Sequence, residues 1–176
     1  MRRLRYCVAA SLDGFIAGPH GEYDWIVQDP SFDFAALWEQ FDTLLMGRRT
    51  YEVAIRRLTF LNSMGKKLVV ASTTLDASQH PGVTFIAGNL AEAVAALKAQ
   101  PGRDIWLMGG GSLFRGLLDA GLVDSVELSV IPVLLGSGVS LVPAGALYRL
   151  HLDESKALPT GILTLKYSVR SEPSSR

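Results

Sequence analysis

The 176-residue sequence predicts an α/β fold: one mixed sheet, mostly parallel and antiparallel at its C-terminal end, flanked by helices. Three observations predict it. Short apolar runs rich in branched residues alternate with longer segments of helical period, the pattern of a sheet buried on both faces. The last two runs have no strong helix between them, and strands joined without a crossover helix pair most easily as antiparallel neighbours. The length suits a single core, since domains hold roughly 100–200 residues, and no repeat or low-complexity linker divides the chain.

The elements follow in order. "LRYCVAAS" from Leu4 is the first strand. Phe34, Leu37, Trp38 and Phe41 then fall at i, i+3, i+4 and i+7, an amphipathic helix stripe. "TLLMG" is the second strand, and "TYEVAI" predicts a short helix with Thr50 as its N-cap. "KLVVAS" and "VTFIAG" are the third and fourth strands. Leu90, Val94 and Leu97 form a helix capped by Asn89. "DIWLMG" is the fifth strand, and Leu113, Phe114, Leu117 and Leu118 give the helix after it. "SVELSVIPVLLG" from Ser125 and "GILTLKYSVR" from Gly161 close the sheet. Residues 1–170 make one domain, and "SEPSSR", 171–176, reads as a flexible tail.

Hydrophobic residues make up 48% of the chain and charged ones 19%, which suits a packed core. Seventeen basic and seventeen acidic residues cancel, so no global field draws the protein to nucleic acid or to an anionic membrane. Any phosphate it binds must be held locally. Cys7 is the single cysteine, which rules out an internal disulfide and a cysteine-cluster metal site and fits a reducing cytoplasm. The basic start "MRRLRYCVAA" has an apolar run too short for a signal peptide. The strand from Ser125 to Leu135 is apolar on both faces, a hazard as an exposed edge, and predicts a homodimer.

The stretch "IWLMGGGSLF" poses the functional question, because an apolar strand stops at three glycines and resumes with a helical period. A P-loop requires Gly-Lys-Ser/Thr after its gap, and here Gly116 is followed by Leu117 and Leu118. A Rossmann fingerprint requires a glycine where Phe114 stands. What remains is strand, glycines and helix: free N–H groups and a helix dipole against which an anion can lie, with Ser112 as a hydroxyl donor. A tight turn with close helix–sheet packing is the alternative for a single glycine; three in succession favour a ligand site.

A second candidate, "LLMGRRTYE", puts Arg48 and Arg49 at a helix start, where the dipole favours anions. A bound phosphate removes that conflict, while arginines that simply point into water are the other reading. Ser72, Thr73 and Thr74 stand where an NAD dehydrogenase wants an acid to grip the ribose. Hydroxyls and arginines suit a phosphorylated ribose, so a dinucleotide bound here is NADPH.

In this order and at these separations, "AASLDGFIA", "DTLLMGRRTYE" and "LMGGGSLFRGLLDAGLVDSVELSVIPVLLGSGVSLV" resemble the dihydrofolate reductase superfamily. The resemblance runs from Leu4 to about Tyr167 and is strongest to the branch of the reductase domain in the riboflavin-biosynthesis deaminase-reductase. It implies a sheet of about eight strands with four helices and NADPH extended across the strand ends. It implies a cis peptide between Gly109 and Gly110, with the amides of Gly111, Ser112, Leu113 and Phe114 receiving the pyrophosphate beside Met108. Gly47, Arg48, Arg49 and Thr50 are implied phosphate contacts, and Ser72 and Thr73 contacts of the ribose phosphate. Ala9 and Ile16 are implied to hold the nicotinamide carboxamide, and Ala17 to Trp25 to form a mobile flap.

On the substrate side, Asp33 matches the carboxylate a folate reductase keeps at the start of its first helix, or else is an ordinary helix cap. Trp25, Phe34, Leu37 and Met108 are implied walls, though the Phe34 and Leu37 stripe also reads as core. Ser129 faces substrate or a neighbouring strand. Arg56 or Arg57 could meet a substrate phosphate. The zinc pattern of a deaminase partner is missing from a chain with one cysteine and the scattered His20, His80 and His151, and no metal site is expected. The implied activity is NADPH-dependent reduction of a small heterocycle, with 5-amino-6-(5-phosphoribosylamino)uracil as the riboflavin-type substrate. Dihydrofolate reduction and a non-catalytic nucleotide-binding module are the alternatives.

Overall fold

A computed structural model describes residues 1–55 and 65–169. Its strands are β1 (Leu4–Ser11), β2 (Phe15–Ala17), β3 (Phe41–Gly47), β4 (Lys67–Ala71), β5 (Val83–Ile86), β6 (Asp104–Gly109), β7 (Ser125–Ile131), β8 (Val139–Ser140), β9 (Leu150–Ala157) and β10 (Leu163–Val169). The α-helices among the described residues are α1 (Phe34–Glu39), α2 (Arg48–Ala54), α3 (Leu90–Ala99) and α4 (Gly111–Asp119). Eight strands form one sheet in the order β5-β4-β3-β6-β1-β7-β10-β9, and β2 pairs with β8 apart from it. Every pairing from β5 to β7 is parallel, and β10 runs antiparallel to both β7 and β9.

The two-residue period of each strand divides its apolar side chains between two faces. Leu45, Val69, Ile105 and Leu107 face α3 and α4, where Val94, Leu97, Phe114 and Leu117 complete one cluster. Leu44, Met46, Leu68, Val70 and Trp106 face the other way, toward Trp38 of α1 and Tyr51 of α2. Full burial of each such side chain stabilises the fold by about 1.5–3 kcal/mol. Among the described residues, no helix is long and apolar enough to cross a membrane.

Several expectations are corrected. Phe41 is not the last turn of the first helix but the first residue of β3, fully buried, and α1 stops at Glu39. Thr50 does not cap α2; the helix begins at Arg48 with Gly47 as its N-cap. Asn89 does cap α3, accepting from the Glu92 N–H at 3.3 Å. The strand from Ser125 ends at Ile131, because Pro132 has no N–H to give a strand flanked on both sides. It lies between β1 and β10, so it is no edge, and the edge argument for a dimer does not apply to it. The edges of the sheet are β5 and β9, and β9, "LHLDESKA", is exposed along its whole length. Arg56, Arg57 and the tail 171–176 lie outside the described residues.

Candidate active site

The parallel strands β3 and β6 are neighbours, and Met46 is in register with Gly109. Their onward connections diverge, α2 leading to β4 on one side and α4 to β7 on the other. A crevice opens outside the strand ends where connections diverge in this way, and ligands of open α/β sheets bind there. The two helix starts meet in that crevice: a Cβ placed on Gly47 would lie 3.8 Å from the Gly110 amide nitrogen.

The three glycines separate into three roles. Gly109 has φ +127°, a conformation L side chains avoid, and the peptide from Gly109 to Gly110 is cis. Gly110 caps α4 without a side chain, and a Cβ there would meet only Thr50 Oγ1, 3.9 Å away. Gly111 admits the chain on the opposite side, since a Cβ would come within 2.7 Å of the Ser140 carbonyl oxygen. Gly110 therefore leaves the crevice open toward Thr50, where the first-turn N–H groups of Gly111, Ser112 and Leu113 have no intrahelical partner. Phe114 is placed differently. Its ring is buried and stacked on Tyr6 at 3.9 Å, and its N–H already donates to the Gly110 carbonyl at 3.0 Å. Met108 and Leu113 are partly buried against the two clusters.

Beyond the crevice, at the ends of β4 and β5, a cavity of about 360 Å³ is lined by Arg48, Ala71, Ser72, Thr73, Thr74, Ile86, Gly88 and Leu90. The structure thus brings together Arg48 with Ser72, Thr73 and Thr74, which are separated by more than twenty residues in sequence. Arg48 is half exposed and pairs loosely with Glu52 at 3.5 Å, so its guanidinium can turn to a ligand. Ser72 Oγ accepts from the Thr74 and Leu75 N–H groups, both at 3.2 Å, which fixes the turn. Arg49 is exposed on α2 and does not line this cavity.

A second cavity, about 600 Å³, lies on the α1 side of β1, β7 and β10. Ala9, Phe34, Leu37 and Ser129 line it, as does Trp106. Asp33 does not; it is exposed and accepts from the Ala36 N–H at 2.8 Å as the cap of α1. Trp25 packs against Ile131, Leu158 and Ile162, with its Nε1–H donated to the Glu22 carbonyl at 3.1 Å. The loop from Ala17 to Trp25 closes around Glu22, which also receives the Gly18 and His20 N–H groups. Ile16 sits half-buried in β2.

The cavity floor holds charges that the sequence reading missed. Arg5 Nε and Nη2 donate to Glu127 Oε1 and Oε2, both at 2.7 Å, and its Nη1 reaches Gln40 at 2.7 Å and Asp104 at 3.2 Å. Burial works to raise the Glu127 carboxyl, but the Arg5 hydrogen bonds and charge outweigh it and hold it below the ordinary carboxylate range. Burial, joined by the Glu127 carboxylate, pushes the Cys7 thiol well up, so it is an unreactive neutral group. Asp29 at the rim accepts from the backbone and hydroxyl of both Ser31 and Thr160, at 2.5–3.0 Å, and those bonds, the Ser31 hydroxyl first, hold its carboxyl below its usual range. In a linear reading, charges on alternate residues of apolar strands were the available signal.

Residues 2–164 match the family model of the RibD C-terminal domain. The chain belongs to the RibD C-terminal domain family. The uncharacterized protein YyaP of Bacillus subtilis (strain 168) is 34% identical over 179 residues, covering 94% of each chain. A solved structure from Shewanella sp. PV-4, provisionally placed in riboflavin biosynthesis, superposes with TM-score 0.76 at 26% identity over 97% of this chain and 99% of that one. Dihydrofolate reductase from Enterococcus faecalis, complexed with NADP(H), superposes with TM-score 0.67 at 18% identity over 96% of each chain. The fold of this RibD-type domain is therefore dihydrofolate reductase-like, and folds of this kind are typically those of reductases.

Proposed function

We propose that this protein is an NADPH-dependent reductase of the riboflavin type, acting on a small heterocyclic substrate. One observation carries the reading: the crevice between β3 and β6, beside Gly110, lies in the strand order between β4 and β5, which line the Arg48–Ser72–Thr73 cavity, and β1, where Ala9 lines the larger one. The residues fit an extended dinucleotide, because Gly110 and Gly88 leave room where a Cβ would stand. They also supply an arginine and hydroxyls for a ribose phosphate.

When bound, the cofactor supplies the hydride. The chain supplies position and a dry site. The first-turn amides of α4, with Thr50 beside them, hold the pyrophosphate; Arg48, Ser72 and Thr73 hold the ribose phosphate; the backbone at Ala9 and Ile16 orients the nicotinamide. Phe34, Leu37 and Trp106 exclude water from the reacting face, and the Ala17–Trp25 loop covers it. Asp33 engages its carboxylate in capping α1, which favours this reading over folate reduction. The buried single thiol of Cys7 suits a reducing compartment, and we assign the protein to the cytoplasm. We also propose a homodimer, with β9 rather than β7 as the edge a second copy covers. Sedimentation should then give twice the 19.0 kDa chain mass, and a monomer would refute it.

Calorimetric titration tests the cofactor. NADPH should bind at least about tenfold more tightly than NADH, a difference of roughly 1.4 kcal/mol. Arg48→Ala should remove most of that preference while leaving NADH binding within about twofold. If neither nucleotide binds, the reductase reading fails.

A further inference from the structure

Cys7, Glu127, Lys166 and Glu154 stand at one register level across β1, β7, β10 and β9, and all four line the larger cavity. Their polar neighbours are already engaged. Arg5 is held by Glu127, Gln40 and Asp104, and Asp29 by Ser31 and Thr160. Lys166 and Glu154 differ: among the described residues neither side chain forms an ion pair, although they are direct cross-strand partners. One ammonium and one carboxylate therefore line the same 600 Å³ space side by side with no hydrogen bond or ion pair of their own, although the Lys166 charge also helps to hold the Glu127 carboxyl low.

We propose that Lys166 and Glu154 are the specificity-determining pair of this cavity, reading a donor–acceptor edge such as the amino-carbonyl edge of a pyrimidine, and that the substrate bears no phosphate there. This rests on the reductase reading of the site. The ammonium donates to a ring carbonyl, while the carboxylate accepts from an adjacent ring N–H or amino group. A phosphate drawn to Lys166 would sit beside Glu154 and Glu127, and the cavity lining carries Asp29, Glu127 and Glu154 against only Arg5 and Lys166. Glu127 is largely buried while Glu154 is exposed at the rim, so the repulsion of a phosphate comes chiefly from the buried carboxylate, where it is stronger than in water. Such a floor discriminates by repulsion as well as by fit.

The test is calorimetry on the full chain in saturating NADPH, with two matched probes: 5-amino-6-(5-phosphoribosylamino)uracil and the same compound after enzymatic removal of its phosphate. The dephosphorylated compound should bind at least about fivefold more tightly. Lys166→Gln and Glu154→Gln should each weaken its binding about tenfold while the denaturation midpoint moves little, since neither side chain forms a hydrogen bond or ion pair among the described residues and Arg5 holds Glu127 in either variant. Equal or tighter binding of the phosphorylated compound, binding of neither, or undiminished affinity in either variant overturns the proposal. NADPH is also titrated alone, so its failure to bind removes the reductase reading and this proposal with it, whereas tight NADPH binding with the wrong order of the two probes overturns this proposal alone.

Discussion

At Gly111 a single added carbon decides whether two parts of the chain can touch. Its Cβ would press on the carbonyl oxygens of Ser140 and Leu141 at 2.7 and 3.1 Å, and backbone atoms cannot swing aside as a side-chain tip can. Gly111→Ala should therefore cost about 1–3 kcal/mol in urea denaturation; an unchanged midpoint would show that this contact yields freely. Asp33 poses a different single-residue question, because a cap and an acid are separable chemically. Asparagine caps nearly as well as aspartate, so Asp33→Asn should leave both the thermal midpoint and turnover within about twofold; a large loss of turnover at constant stability would make Asp33 an acid after all. Asp29 contributes to the pH dependence, alongside other carboxyls held low such as Glu127. The folded Asp29 carboxyl is held below the unfolded value of about 4 by four donors, so its contribution to stability is complete above that value and falls away progressively as pH drops from there toward the lower folded value. Comparing urea midpoints at pH 6 and pH 3, the native chain should lose more stability than Asp29→Asn, and parallel losses would remove Asp29 from the account.

Elements differ in how much of themselves they show in a sequence. The strands from Leu4, Thr43, Lys67, Val83, Asp104, Ser125 and Gly161 were legible because strands covered on both faces must be runs of branched apolar residues. The strand β9 was not, because "LHLDESKA" is exposed along its whole length at an edge and has no apolar face to display. Phe41 misled because an apolar residue at i+7 satisfies the helix period even when the chain has already turned into a strand. Of the site, Arg48 with Ser72 and Thr73 was legible, since each follows a strand end and the parallel topology brings strand ends together. The row through Glu127 and Lys166 was not, because it exists only once the register of β1, β7, β10 and β9 is set. Helix α3 shows a cap read correctly from one residue, and Asn89→Ala should cost about 1 kcal/mol in denaturant titrations. A change below about 0.3 kcal/mol would mean the helix is held by Val94 and Leu97 alone.

Across the whole molecule, the two cavities draw their walls from nearly every strand of the large sheet. The smaller is built on the ends of β4 and β5 with Arg48 of α2, and the larger on β1, β7, β9 and β10 with α1 closing it. The crevice between β3 and β6 lies between these sets in the strand order, so a dinucleotide spanning it would touch both halves of the sheet at once. A ligand of that reach binds only the assembled chain, and the coupling has a size. At a hundredfold excess over its Kd, a ligand with no affinity for the unfolded chain adds about 2.7 kcal/mol, and domains of this length gain roughly 2–4 °C per kcal/mol. Saturating NADPH should raise the midpoint of a single thermal transition by about 5–10 °C, with NADH at the same concentration giving clearly less. A split transition, in which one half of the sheet melts at its unliganded temperature, would show instead that the cofactor grips only one side of the crevice.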